Sequence, residues 1–207
     1  TKEQSNRLLE EAFNSGCFEF YYLELTTGLR LGEILALEWE DLDIKNKTLS
    51  ITKQVQRIDG TLQAETPKTK NSIRTIAISS DCATALAKLK MRQAKGTTLM
   101  FPSPETGTYR DQNAVTRKFK RMLRRAGLPQ EVRFHDLRHT CATIALEEGV
   151  EIKALSSMLG HSDVAFTMNT YVHATKKLKT TAADKMEAAF QIGYSSVMNV
   201  ECQLMNA

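Results

Sequence analysis

Along the first forty positions the apolar residues recur every three or four places, the spacing that gathers them on one face of a helix. Thr1-Lys2-Glu3-Gln4 has the form of a capping box and opens a helix with Leu8, Leu9, Ala12 and Phe13 on its inner face, closed by Gly16. A largely apolar second helix runs through residues 18–25 and ends near Thr27-Gly28. A third covers about residues 30–37, with Leu31, Ile34, Leu35 and Leu37 turned inward. Residues 41–46 are polar and turn-like. The period then shortens to two. Residues 48–54 and 72–78 alternate and carry β-branched side chains, most clearly Ile73, Thr75, Ile76 and Ile78. Asp59-Gly60 marks a hairpin into a weaker strand near residues 61–64. One small antiparallel sheet of about three strands is expected, with residues 67–71 as a basic turn before the last. Helical spacing returns at about residues 81–94, 111–126, 136–148, 151–158, 163–170 and 176–191. The pattern predicts a mainly α domain with a small inserted antiparallel β-sheet over residues 1–175, then a helical tail over 176–207.

Composition narrows the class without naming it. The hydrophobic fraction of 42% beside 25% charged residues suits a globular domain and argues against global disorder. Lys and Arg outnumber Asp and Glu by 28 to 24, a mild excess that fits nucleic-acid binding only if the charge is clustered. The cysteines, Cys17, Cys82, Cys141 and Cys202, form no CxxC pair, so they suggest neither a zinc site nor a disulfide framework. They read as reduced, mostly buried thiols of a cytoplasmic protein. No apolar run approaches the roughly 18 residues of a membrane span, and no signal peptide is evident. The chain begins at Thr1 rather than Met, which is expected of a piece of a longer protein.

Three stretches concentrate polar groups that a plain helical domain does not need. Thr27-Gly28-Leu29-Arg30-Leu31-Gly32-Glu33 puts Arg30 at the entry of an apolar helix with Glu33 one turn on; a surface ion pair is the simpler reading. In His135-Asp136-Leu137-Arg138-His139, His135 and Arg138 share a helix face and, with the helix N-terminus, suit an anion such as phosphate. His139 is expected to face elsewhere. Leu159-Gly160-His161 is followed ten residues later by Tyr171, in Tyr171-Val172-His173. Each signal alone is weak, and a capped basic turn or a rim tyrosine would explain it. Their order, Arg, then HxxR, then LGH, then Tyr, is far more specific.

The pieces TGLRLGE, PKTKNSIRTIAI, HDLRHTCAT and LGHSDVAFTMNTYVH, spread from about residue 26 to 173, resemble the catalytic domain of the tyrosine recombinase (phage integrase) family. The TMNTYVH ending is most similar to integrases of conjugative transposons and related phages. The resemblance implies the fold of that catalytic domain and a site-specific recombinase that joins or excises a mobile element through a 3′-phosphotyrosyl intermediate. It implies Arg30 and Arg138 as the two catalytic arginines, His135 as the histidine that assists proton transfer, and His161 as the second histidine, on the phosphate. Tyr171 is then the nucleophile, and Glu33 supports Arg30. Lys68 matches the family's lysine, which protonates the departing 5′ oxygen; Lys70, two residues on, points the same way and remains the alternative.

The chemistry implied is two transesterifications that conserve bond energy, so no metal, ATP or other cofactor is implied. The implied partners are double-stranded DNA recombination sites, further copies of the chain (a dimer on DNA, a tetramer at the synapse) and an accessory DNA-bending protein, in a bacterial cytoplasm. A DNA-clamping domain is expected ahead of the first helix. Arg117, Lys118, Lys120, Arg121 and Arg124 lie along one helix whose apolar face runs through Val115, Phe119, Met122 and Leu123; they are DNA-contact candidates with Lys70, against a plain solvated face. The tail could dock on a neighbouring copy or on its own domain. A non-catalytic DNA-binding protein on the same fold and a type IB topoisomerase are the competing readings. The intact set of motif residues weighs against the first, and the LGH–TYVH ending and short length against the second. A metal nuclease would want clustered carboxylates that these motifs lack.

Overall fold

The structure, a computed structural model, describes residues 1–67 and 72–161. Helices α1 (Lys2–Asn14), α2 (Phe18–Thr27) and α3 (Leu31–Ala36) lead through a 3-10 turn at Trp39–Asp41 into the strands β1 (Leu42–Asp43), β2 (Thr48–Ile51), β3 (Gln54–Ile58), β4 (Thr61–Glu65) and β5 (Arg74–Ala77). Helices α4 (Ser80–Arg92), α5 (Gln112–Arg125), α6 (Asp136–Glu147) and α7 (Ile152–Leu159) follow. The expected helices at 163–170 and 176–191, the tail and the boundary at 175 lie outside the described residues.

The mainly helical architecture with small antiparallel sheets is as expected, but the strands are divided differently. Two sheets replace one: β1, β2 and β5 form a three-stranded antiparallel sheet, while β3 and β4 form a separate hairpin. The stretch read as one strand breaks at Thr52-Lys53, where the Lys53 ammonium turns to Glu38 at 3.0 Å. Leu49, Ile51 and Val55 are all buried and all at odd positions, so the inward parity runs straight through the break and the period cannot reveal it. The short β1 hides in the stretch read as a turn. Asp43 accepts from the backbone of Asn46 at 2.9 Å, and Lys47 at φ 54° completes the reversal into β2.

Helix α1 has the expected capping box, with the Thr1 hydroxyl accepting from the Gln4 backbone at 3.2 Å. Leu8 and Ala12, one turn apart, are buried against α2, whereas Phe13 is 72% exposed and meets Phe18 edge-on at 6.3 Å. Phe13 therefore does not belong to the inner face. Beneath α1, α2 and α5 the aromatic rings of Phe20, Tyr21, Phe101, Phe119 and Phe134 form one interlocked group, with centroid separations of 5.1–6.1 Å. A second, small core of Ala142, Leu146, Leu155 and Leu159 lies between α6 and α7. The end of α2, the start of α6 and the end of α7 meet where the two cores adjoin. Cys17, Cys82 and Cys141 are buried free thiols.

Candidate active site

Two helix ends build the centre of the site. Helix α2 stops at Gly28 (φ 62°) and α7 at Gly160 (φ 69°), both left-handed caps that favour glycine. Neither has room for a side chain: a Cβ at Gly28 would stand 2.7 Å from Leu159 Cδ2, and one at Gly160 2.9 Å from Arg74 Nη1. The turn after α2 delivers Arg30, and the turn after α7 delivers His161.

Arg138, in the first turn of α6, ties these turns together. Its Nη1 donates to the Gly28 carbonyl at 2.6 Å and its Nη2 to the Leu159 carbonyl at 2.7 Å. Arg30 Nη2 makes a longer contact of 3.4 Å with the Gly160 carbonyl. Three sequence motifs far apart in the chain are thus joined by guanidinium-to-carbonyl bonds. Arg30 and Arg138 each use two donors in this way or on Glu33, leaving the remainder of each fork for an anion. Burial, with Arg30 close by, lowers the Arg138 pKa to about 10, still fully charged near neutrality.

Glu33 is not a surface partner of Arg30. Its side chain is 1% exposed and takes Arg30 Nη1 at 2.8 Å and the Arg30 backbone N–H at 2.9 Å. It also receives a fork from Arg74, Nη1 at 3.1 Å and Nη2 at 3.0 Å. Burial on its own would raise the carboxyl's pKa, but the Arg74 and Arg30 bonds outweigh it and hold Glu33 below the usual carboxylate range. Arg74 lies within the PKTKNSIRTIAI motif, yet no role attached to it from sequence. A signal was present: Arg74 shares strand parity with the inward Ile76 and Ile78, and an arginine at an inward strand position asks for a buried partner.

His135, at the N-cap of α6, is exposed, and burial of its inner edge together with His139 lowers its pKa below the usual imidazole value. His139 does not face elsewhere. One helical turn on, its ring meets that of His135 at 4.9 Å and 90°, as i and i+4 on one helix face require. His161 is depressed further, to about 4, first by burial and then by Arg138, Arg30 and Arg74. Both histidines are neutral at pH 7, so His135 can accept a proton and His161 can donate a hydrogen bond without adding charge. Glu24 also escaped the sequence reading. It is wholly buried on α2, neither carboxyl oxygen has a hydrogen-bond partner, and burial pushes its pKa well up. It lines a cleft of about 350 Å³ with Leu29, Phe134 and His135. Lys68, Lys70 and Tyr171 lie outside the described residues.

On α5, Val115, Phe119, Met122 and Leu123 are buried as expected, and Arg117, Arg121 and Arg124 are exposed. Lys120 instead donates to the carbonyls of Gln130 and Val132, fixing the loop that leads to His135. Lys118 turns to the flank where Cys17, Tyr21 and Arg110 line a second cleft. Among the described residues no group of His, Cys, Asp and Glu could hold a metal ion, and no helix is long and apolar enough to cross a membrane.

The model of the phage integrase family matches residues 1–177. A tyrosine recombinase XerC-like protein of Caldanaerobacter subterraneus subsp. tengcongensis is 37% identical over 191 residues, 82% of this chain and 49% of the relative. The ICEBs1 integrase of Bacillus subtilis is 30% identical over 178 residues, covering 81% of the chain and 48% of the relative. The chain spans about half the length of the curated relatives it matches. Among solved structures, the Tn1549 transposon integrase in complex with circular intermediate DNA superposes with a TM-score of 0.75 over 99% of this chain and 66% of that one, at 21% identity. The XerA recombinase superposes with a TM-score of 0.71, at 23% identity, over 88% of this chain and 64% of that one. With the matched residues running through every motif described above, the chain belongs to the phage integrase family.

Proposed function

We propose that this chain is the catalytic part of a site-specific DNA recombinase that integrates or excises a mobile element. One observation carries the reading: Arg30, Arg138 and His161 converge through Arg138's bonds to Gly28 and Leu159 and Arg30's contact with Gly160. Two forked cations with unspent donors, beside two neutral imidazoles, suit a phosphodiester whose non-bridging oxygens gain charge in the transition state.

Tyr171 attacks the phosphorus, its phenolic proton passing toward His135. A 3′-phosphotyrosyl bond forms as the bond to the 5′ oxygen breaks. Lys68, or Lys70 in its place, delivers the proton to that oxygen. Attack by a 5′ hydroxyl of a partner strand reverses the step and joins the new ends. Arg30 and Arg138 hold the phosphate throughout, and His161 donates to it. The exposed Arg117, Arg121 and Arg124 on α5, with Lys118 and Lys70, contact the DNA backbone. Further copies assemble as a dimer on each site and a tetramer in the synapse, with a DNA-bending protein, in a bacterial cytoplasm.

The test is covalent trapping on a nicked duplex carrying the joined ends of the encoding element, in EDTA, resolved under denaturing conditions, with any natural N-terminal extension retained. An adduct at the 3′ end that Tyr171→Phe abolishes is expected. DNA binding without an adduct would overturn the catalytic reading in favour of a binding role.

A further inference from the structure

Among the described residues three arginines meet at the site, and toward those residues they spend their donors differently. Arg30 and Arg138 each use two of the five N–H groups of a guanidinium. Arg74 uses four: Nε to the Met158 carbonyl at 2.7 Å, Nη1 to Glu33 at 3.1 Å and to the Ser72 carbonyl at 3.0 Å, and Nη2 to Glu33 at 3.0 Å. Its side chain is 7% exposed. A guanidinium so occupied has little left to offer a phosphate.

Its partners lie on three separate segments. Glu33 belongs to α3 and holds Arg30 by side chain and backbone. Met158 belongs to the last turn of α7, three residues before His161, and Gly160 packs directly on the Arg74 guanidinium. Ser72 precedes β5, which Arg74 itself opens. The Arg30–Glu33 pair and the Gly160-His161 turn are therefore held to each other by Arg74, in addition to the Arg138 bonds to Gly28 and Leu159.

We propose that Arg74 is a positioning residue of the recombination site, setting the Arg30–Glu33 pair and the Gly160-His161 turn in register. It does not touch DNA. Its fork keeps Glu33 ionised and oriented, so Arg30 presents its free donors in a fixed direction, and its Nε bond holds the end of α7 against β5. This rests on the recombinase reading above. A lysine in its place keeps the charge but cannot span Glu33 and the Met158 carbonyl together.

The experiment compares Arg74→Ala and Arg74→Lys with the parent on the nicked duplex, measuring DNA affinity and the single-turnover rate of adduct formation separately. Arg74→Ala is expected to bind DNA within about twofold of the parent while forming adduct on the order of 100-fold more slowly, the scale of loss for a misplacement of about 1 Å. Methylguanidinium added to Arg74→Ala is expected to restore part of the rate, and methylammonium to restore less. Arg74→Lys should bind normally and remain slow. Parent-like cleavage by either folded variant overturns the proposal, as does a rate loss matched by an equal loss of affinity with no rescue. If Arg74→Ala does not fold, Arg74→Lys decides by the same criteria. A parent that forms no adduct would fault the recombinase reading instead.

Discussion

His135 and His139 sit one turn apart on α6, and after burial the neighbouring His139 is a cause of the lowered His135 pKa. In the proposed mechanism His135 accepts the tyrosine proton and works only while neutral, so adduct formation is expected to fall as pH drops through the His135 pKa. Because that pKa is depressed, the acid limb lies below the ordinary imidazole value of about 6.5. His139→Gln removes one cause of the depression, and its acid limb is expected to move to higher pH in a pH–rate profile; an unmoved or lowered limb would contradict this. Glu24 gives a residue-scale prediction for stability. Its folded-state pKa is raised, so below its unfolded value both states carry the proton and nothing is lost. Above it, folding must take up a proton, and stability declines by about 1.4 kcal/mol per pH unit until the raised pKa is reached. Glu24→Gln is expected to gain over the parent in urea denaturation as pH rises from about 4.5 to 8, with no gain at the acid end. The His135–His139 pairing was readable in the i, i+4 spacing although His139 was expected to face elsewhere, whereas Glu24 was hard to foresee: nothing in the sequence around it says that its side chain is sealed beneath α6.

At the scale of elements, the helices were legible because each buries a continuous stripe, and α5 is the clearest. Its buried Val115, Phe119, Met122 and Leu123 leave Arg117, Arg121 and Arg124 outside at i, i+4 and i+7. On the proposed reading these three contact phosphates and release counterions, so changing all three to Ala is expected to reduce the slope of log affinity against log salt by about 2.7. An unchanged slope in a salt titration would remove α5 from the DNA interface. Lys120 serves here as an internal contrast, since its ammonium is engaged by two backbone carbonyls. Gly28 was legible as a helix end, and TGLR and LGH as motifs, but Gly28 and Gly160 were not legible as surfaces in contact with Leu159 and Arg74. The division of the strands was illegible because Leu49, Ile51 and Val55 keep one parity across a break that only pairing partners define.

At the scale of the whole molecule, the site lies on the seam between a large core and a small one. The small core contains Ala142, Leu146, Leu155 and Leu159, with Ala145, Ile152 and Met158 packed against it. Among the described residues, α7 packs on α6 through this small core and is tied to the rest of the site by Arg138 and Arg74 reaching the carbonyls of Leu159 and Met158. Directional bonds of this kind are lost together once geometry slips, whereas apolar contact fades gradually. Amide hydrogens of α7 are therefore expected to exchange with solvent faster than those of α2 and α5 at equal pH, by opening short of global unfolding. Protection of α7 equal to that of α2 would refute it. On the proposed recombinase reading, the turn that carries His161 stands at the phosphate only while Arg138 and Arg74 hold the end of α7, so completing the site and gripping the DNA backbone become a single cooperative event.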